Sequence, residues 1–390
     1  MPTPAYCGRH TAVIYERGGQ TIIGQMPEMS NVVWNRVRDD ISTAQIDVPV
    51  TECCDLLNLV EPVRCELHIF RDGTPVWEGV ITRMEFEFDQ VQIFAEDMLW
   101  VAKRRALNVG YNWNEPGQGL PYGPIYGNGA ISAVQNMDDL LRQHCYNQFG
   151  DNWNMLSHLM PIFGPDDPMS MRQANAWSAT IWQEFDKIAE DYGTDYTVVN
   201  RDILYFDHHL AFIVLPDLAP NDVAEYPRVV EYGNAFATRY IRGDGSGYAA
   251  LAEAPADVIL KYGAGIDIVS SENTQAQTDQ LPDPTNPPPP PSATKLANWA
   301  ATAARRLVDY YPPKQAIVIP AGATLMPTSP WDVDTLTPGA WFQITIDYIC
   351  RPPVTDWQRI ESVAVTESGD GGETVQFTAA TAPSRKTDPV

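Results

Sequence analysis

Positive charge is scarce in this chain of 390 residues. Lys and Arg number 26 against 50 Asp and Glu, a formal net charge of −24. Non-specific nucleic-acid binding runs on cations that displace counterions from phosphates, so the balance argues against such binding. Cysteine is also sparse, with six residues at positions 7, 53, 54, 65, 145 and 350, none in CxxC spacing. Zinc ribbons and redox centres need ligands at fixed short spacing; buried free thiols made in a reducing cytoplasm are the expectation instead. No apolar run reaches 18 residues, so no membrane-spanning helix is expected. The opening MPTPAYCGRH has no basic-then-apolar leader pattern. A protein of this kind that acts outside the producing cell is expected to leave by lysis or within an assembly.

Catalytic signatures are missing as well. There is no GxSxG elbow, no GxxxxGK[ST] phosphate cradle and no HExxH pair. Asp207-His208-His209 is the one close group of metal-capable side chains. Neighbours on a strand point to opposite faces, so strand-end packing is expected there rather than chelation. Asp39-Asp40, Asp138-Asp139 and Asp166-Asp167 need no catalytic role among so many acids. Glycoside cleavage uses two carboxylates whose separation is a tertiary property, so that reading stays open. No metal, cofactor or catalytic residue is assigned.

Proline is plentiful at 33 residues, and hydrophobic residues make up 44% of the chain. The length allows two or three domains, rich in strands and loops. The most informative stretch is Pro62 to Arg105. Val63 to Phe70 alternates, with Cys65, Leu67 and Ile69 on one face and Arg64, Glu66, His68 and Phe70 on the other. Asp72-Gly73 marks a hairpin, since a type I′ turn needs positive φ at both central positions. A second strand from Pro75 to Phe88 carries Gly79, read as a bulge. Asp89-Gln90 turns into a third, and Glu96 to Ala106 is read as a helix of about three turns with cations at its C-terminal end.

Upstream, TAVIYE and TIIGQM form strands around Gly18-Gly19. Val33, Asn35 and Val37 alternate with Trp34, Arg36 and Arg38, and a further strand holds Ala44, Ile46 and Val48. Residues 51–59 are expected as a short capped helix. Residues 108–130 are rich in Gly, Pro and aromatics. This stretch is read as an interface loop, with a sugar-binding aromatic platform as the alternative. Helices follow, one on Val134, Met137, Leu140 and Leu141, another within Ser170 to Tyr192 on Ala176, Ile181, Trp182, Phe185, Ile188 and Ala189. Next comes a hairpin around Asn200-Arg201-Asp202. After Arg228 the strands return, interrupted by the Pro-rich linker 274–292 and a helix over 294–311.

VVWNRVRDDISTAQIDVP, the Cys-Asp-Leu-Leu segment and CELHIFRDGTPVWEGVITRMEFEFDQVQIFAEDMLWVAKRR together resemble minor tail proteins of actinobacterial siphophages, in particular the tail-hub or tail-associated (baseplate hub) family. LTPGAWFQITIDY…WQRIESVAVTESGDGGETVQFTAAT is similar to the second barrel of such proteins. The resemblance is weak from about 109 to 225. It implies a mainly β fold with an α+β insertion. Residues 1–108 would form a first β-barrel hub domain, 109–225 a loop-rich α+β middle domain, and 226–385 a second β-barrel hub domain.

It further implies a non-enzymatic homotrimer in the virion, made in the host bacterial cytoplasm. The trimer would close the tail tube at the tail tip and take part in host attachment and DNA delivery. Its partners would be the distal tail protein, the tape measure protein and other minor tail proteins. DNA would pass its lumen without specific binding, and acidity would suit that passage, or simply maintain solubility. The alternatives are a six-copy distal tail ring subunit and a cell-wall glycan-binding or glycan-cleaving tail enzyme. Interface residues expected from the sequence are Arg36, Arg38, Arg104, Arg105, Tyr111, Trp113, Tyr122 and Tyr126; ordinary surface charge is the alternative for the arginines.

Overall fold

The structure is a computed structural model and describes residues 8–26, 28–50, 56–107, 111–112, 133–141, 160–162, 173–174, 179–192, 194–207, 211, 213–231, 238–243, 249–253, 266–271, 315–348, 351–369 and 371–382. The first seven strands are β1 (His10–Glu16), β2 (Ile22–Gln25), β3 (Asn31–Val37), β4 (Thr43–Pro49), β5 (Cys65–Arg71), β6 (Thr74–Phe86) and β7 (Gln90–Glu96). Helix α1 (Trp100–Arg104) closes this set.

The middle segment holds β8 (Tyr111–Asn112), α2 (Ala133–Leu141), β9 (Met160–Ile162), β10 (Gln173–Ala174), α3 (Ile181–Tyr192), β11 (Thr194–Val199) and β12 (Asp202–Asp207). Beyond it come β13 (Arg228–Glu231), β14 (Thr238–Gly243), β15 (Ala249–Glu253), β16 (Ile266–Ser271), β17 (Gln315–Val318), β18 (Ala323–Thr324), β19 (Trp341–Tyr348), β20 (Arg351–Ser368) and β21 (Glu373–Thr381). The protein is mainly β, with antiparallel pairing dominant. The linker 274–292 and the helix expected over 294–311 lie outside the described residues.

The described strands show no closed barrel. One 11-stranded sheet runs β18-β21-β20-β3-β4-β7-β6-β5-β1-β2, with β19 also on β20, and its described path is open at both ends. The joint is β3 against β20, antiparallel from Val37↔Ser362 to Asn31↔Ser368. Strand β20 serves two neighbours along one edge: its first half pairs with β19 and its second with β3, while β21 lines the opposite edge. Pro352 and Pro353, which have no N–H to donate, fall where the β19 ladder slips between Ile346 and Tyr348.

The core runs along the sheet. Trp34, Ile46, Leu67 and Ile93 from the first strands share one apolar cluster with Trp331, Phe342, Val363 and Phe377. A second cluster joins Met98, Leu99, Val101 and Ala102 to Met137, Leu140, Ile181, Phe185 and Tyr196 of the middle segment. Helices α2 and α3 bury the expected Val134, Met137, Leu140, Leu141, Phe185 and Ile188.

Local chemistry explains the hairpins. Asp72 and Gly73 both take positive φ (50° and 84°), as the two-residue turn demands. Gly79 is not a bulge: it pairs in register with Leu67, and the slips in β6 fall at other positions. A Cβ there would meet the carbonyl oxygen of Glu96 and the Trp77 ring, so close approach is the reason for glycine. The helix expected from Glu96 is shorter, because Asp97 ends the strand. Its carboxylate accepts from Ser42 N–H at 2.7 Å and Leu99 N–H at 2.9 Å before α1 begins.

Candidate interaction surfaces

Three groups of charged side chains hold the chain's distant parts together. The first lies at the end of β3. Arg38 donates Nε–H to Glu361 at 2.7 Å and Nη1–H to Asp195 at 2.7 Å, and also pairs with Asp39. Arg359 reaches the other oxygen of Asp195 at 3.0 Å. β3, β11 and β20 thus meet on one carboxylate. Burial and the neighbouring Asp195 charge push the Asp39 carboxyl well above the ordinary carboxylate range, against the pull of Arg38.

The second group covers the face of β5 opposite Cys65, Leu67 and Ile69. Glu66 and His68 are buried there. The tip of the β11–β12 hairpin lies over them: Arg201 pairs with Glu66 and, at 2.5 Å, with Glu78, and Asn200 donates Nδ2–H to the Pro75 carbonyl at 3.1 Å. Tyr15 stacks on His68 with ring centroids 4.1 Å apart. Burial raises the Glu66 carboxyl, but its hydrogen bond to His68 and the Arg201 charge more than offset this, leaving it below its ordinary value.

The third group sits at the end of the core. Arg71 and Glu373 both have 0% side-chain exposure and form a two-point pair, Nε–Oε1 at 2.6 Å and Nη2–Oε2 at 2.8 Å. Arg71 also reaches Asp334 at 2.9 Å. Nearby, Trp34 donates Nε1–H to His10 Nε2 at 3.0 Å, and His10 Nδ1 faces Glu367 at 2.8 Å.

The arginines expected at interfaces divide. Arg36 is 1% exposed, and its guanidinium donates to the carbonyls of Asp334 (3.1 Å), Leu336 (2.6 Å) and Val76 (2.7 Å) of its own chain, so it offers nothing to a partner. Burial lowers its pKa to about 10, and it stays protonated at neutral pH. Arg38 is bound into the intrachain network just described. Arg104 is exposed at the end of α1, its guanidinium carbon 5.5 Å from the Trp100 ring centroid. Lys103 is half-exposed beside it and lies over Trp182, and Arg105 is half-buried. Burial lowers the pKa of Arg17 against the opposing charge of Glu66, and Arg105 and Arg64 lower it further. These cations stand among acids: Lys103 lies 3.7 Å from Glu96, and Arg64 pairs with Glu61 at 3.2 Å and Glu16 at 3.9 Å. Tyr111 lies on β8, which pairs with β10. Trp113, Tyr122 and Tyr126 lie outside the described residues, as do His208 and His209.

One surface is not anticipated by periodicity. The β6–β7 hairpin overruns the core, leaving Phe86 69% exposed and Phe88 fully exposed. The alternation Glu85-Phe86-Glu87-Phe88-Asp89 reads as an ordinary amphipathic strand; only the position of the core edge shows that its apolar side is uncovered. Among the described residues no group of three or more His, Cys, Asp or Glu is placed to hold a metal ion, and no helix is long and apolar enough to cross a membrane.

The arrangement is one of interlocked strands with an acidic, aromatic tip, and its fold is similar to that of solved phage tail proteins. A tail protein from Neisseria meningitidis MC58 superposes with a TM-score of 0.58 at 10% identity, covering 96% of this chain and 99% of that one. Prophage tail protein gp18 from Listeria monocytogenes EGD-e gives 0.56 at 9% identity, with 97% and 95% covered. The 43 kDa tail protein of prophage MuSo2 from Shewanella oneidensis gives 0.54 at 12% identity, with 97% and 100% covered. No protein-family model and no curated protein sequence matches the chain.

Proposed function

We propose that the chain is a structural, non-enzymatic virion protein that forms the hub closing the tail tube at the tail tip of a long-tailed phage. The observation that carries this reading is the extent of the fold match: tail proteins superpose along nearly the whole of both chains rather than through one shared module. In this reading the hub is a homotrimer contacting the distal tail protein, the tape measure protein and other minor tail proteins. It takes part in attachment and DNA delivery, with its acidic surface lining the DNA path. The strand sets on either side of the β3–β20 joint are its two barrel-like halves.

Native mass of the purified chain, with immunogold labelling of virions, tests the proposal. Three copies and label at the tail tip are expected. Six copies would favour a distal tail ring, and label along the whole tube would overturn both readings. Zymography on host cell wall addresses the enzymatic alternative: clearing that is lost on substituting a single carboxylate would overturn the structural role.

A further inference from the structure

We infer that Asp39 is a proton-operated catch between the middle segment and the main sheet: protonated, it fastens β11 to the end of β3, and ionised, it lets β11 loosen. The arrangement of charges at the end of β3 carries this. Asp195 bridges two arginines there, accepting Arg38 Nη1–H at 2.7 Å on one oxygen and Arg359 Nη1–H at 3.0 Å on the other. Glu361 bridges the same two, accepting Arg38 Nε–H at 2.7 Å and, on its second oxygen, Arg359 Nε–H at 3.2 Å. Two cations and two carboxylates already balance in charge.

Asp39 is the third acid of the group. Its Oδ2 crowds onto Arg38 Nη1, the same nitrogen that donates to Asp195. Two carboxylates set this close do not both ionise readily, and one keeps a proton. Asp195 is 5% exposed, and a guanidinium on each oxygen holds it ionised. The proton therefore falls to Asp39, whose side chain is 27% exposed and so open to exchange with water. Burial and the Asp195 charge raise its carboxyl above the ordinary range, in keeping with this count. Among the described residues the other titratable neighbours add no cation. Asp40 follows in the turn and accepts from Ile41 N–H, and Tyr196 of β11 turns its hydroxyl to Asp186 of α3 at 3.4 Å.

The same residue makes the backbone joint. Asp39 N–H donates to the Tyr196 carbonyl at 2.9 Å, and Asp39 Oδ1 accepts Tyr196 N–H at 2.9 Å. Thr197 adds Oγ1–H to the Val37 carbonyl at 2.8 Å. Asp195 precedes Tyr196 on β11, so ionising Asp39 sets like charges on the two sides of these bonds. The closed joint holds a proton that an open, hydrated Asp39 releases. Closure therefore weakens as pH rises from the ordinary carboxylate value to the raised value of Asp39, and changes no further above it. Each pH unit across that interval lowers the closed-to-open ratio about tenfold.

Residue-resolved amide exchange on the full-length chain tests this. It is read at Asp39 and Tyr196 against the amides of β7 and corrected for the intrinsic pH dependence of exchange. From about pH 5 to about pH 9, opening at the two joint amides is expected to rise at least about tenfold relative to β7. Asp39→Asn keeps an acceptor and a donor like those of the protonated acid and tolerates the positive φ of 55° at this position; its joint amides are expected to stay protected throughout. Asp97→Asn is expected to retain the wild-type profile there. A flat wild-type profile overturns the catch without recourse to any variant. So does an Asp39→Asn profile that rises in parallel with the wild type, or a rise that disappears in Asp97→Asn.

Discussion

Arg71 and Arg36 show what a buried cation does in this protein. Arg71 faces Glu373 with both side chains out of water, and removing one partner strands the other charge in the interior. Arg71→Ala is expected to cost about 3–5 kcal/mol in chemical denaturation, whereas exposed Arg64→Ala is expected to change little. Asp97 adds a pH dependence of the opposite sense to an ordinary paired acid. Burial raises its carboxyl to about 7 despite two backbone N–H donors. The folded state then holds a proton that the unfolded state releases, so stability declines as pH rises from about 4 to about 7. Glu66 and Glu373 are held below their ordinary value; their contribution is present above that value and is lost as pH falls through the folded one. Melting temperature is therefore expected to peak in mildly acidic buffer, and Asp97→Asn is expected to flatten the slope on the alkaline side of that peak.

At the scale of elements, the β11–β12 hairpin behaves as a clasp over β5 and β6. Its grip is Arg201 on Glu66 and Glu78, and Asn200 on the Pro75 carbonyl. Arg201→Ala is expected to cost about 3 kcal/mol and to speed hydrogen exchange in β11 and β12, with β6 and β7 little changed. Hairpins of this kind are legible in sequence because their signals are local. Asp72-Gly73 and Asn200-Arg201 sit where turn chemistry places them, with Asp72, Gly73 and Asn200 at positive φ. Alternation likewise identifies β3, β4, β5 and β7. What alternation misses is what covers a face. Alternation puts Glu66 and His68 opposite Cys65, Leu67 and Ile69 but is silent on their burial, because the hairpin tip that covers them lies more than 130 residues downstream. Arg36 and Arg38 stand out in sequence, yet their partners at 334, 336 and 361 are set by tertiary pairing alone. Gly79 looks the same whether it marks a bulge or a close contact, and only the strand beside it decides.

For the whole molecule, the shared core and the β3–β20 joint make the two strand sets one cooperative unit. A fragment of residues 1–225 lacks Phe342, Val363 and Phe377 from its core cluster. It is expected to be insoluble alone and rescued by co-expression with 226–390, while the intact chain is expected to lose both strand sets in a single calorimetric transition. A sequence read in domain-sized blocks favours two separate barrels, since each block carries its own hairpins. The joint is invisible at that level because its two strands lie at opposite ends of the chain.

That joint also sets a clock on biosynthesis. Strand β3 leaves the ribosome early, but the strand that covers its edge begins at Arg351. At usual elongation rates the wait is on the order of tens of seconds, during which an apolar edge bearing Val32 and Trp34 has no cover from β20. Nascent chains that stop short of Arg351 should be the ones bound by chaperones and cut by proteases near β3. The yield of folded protein should therefore depend on how quickly the last strands are made.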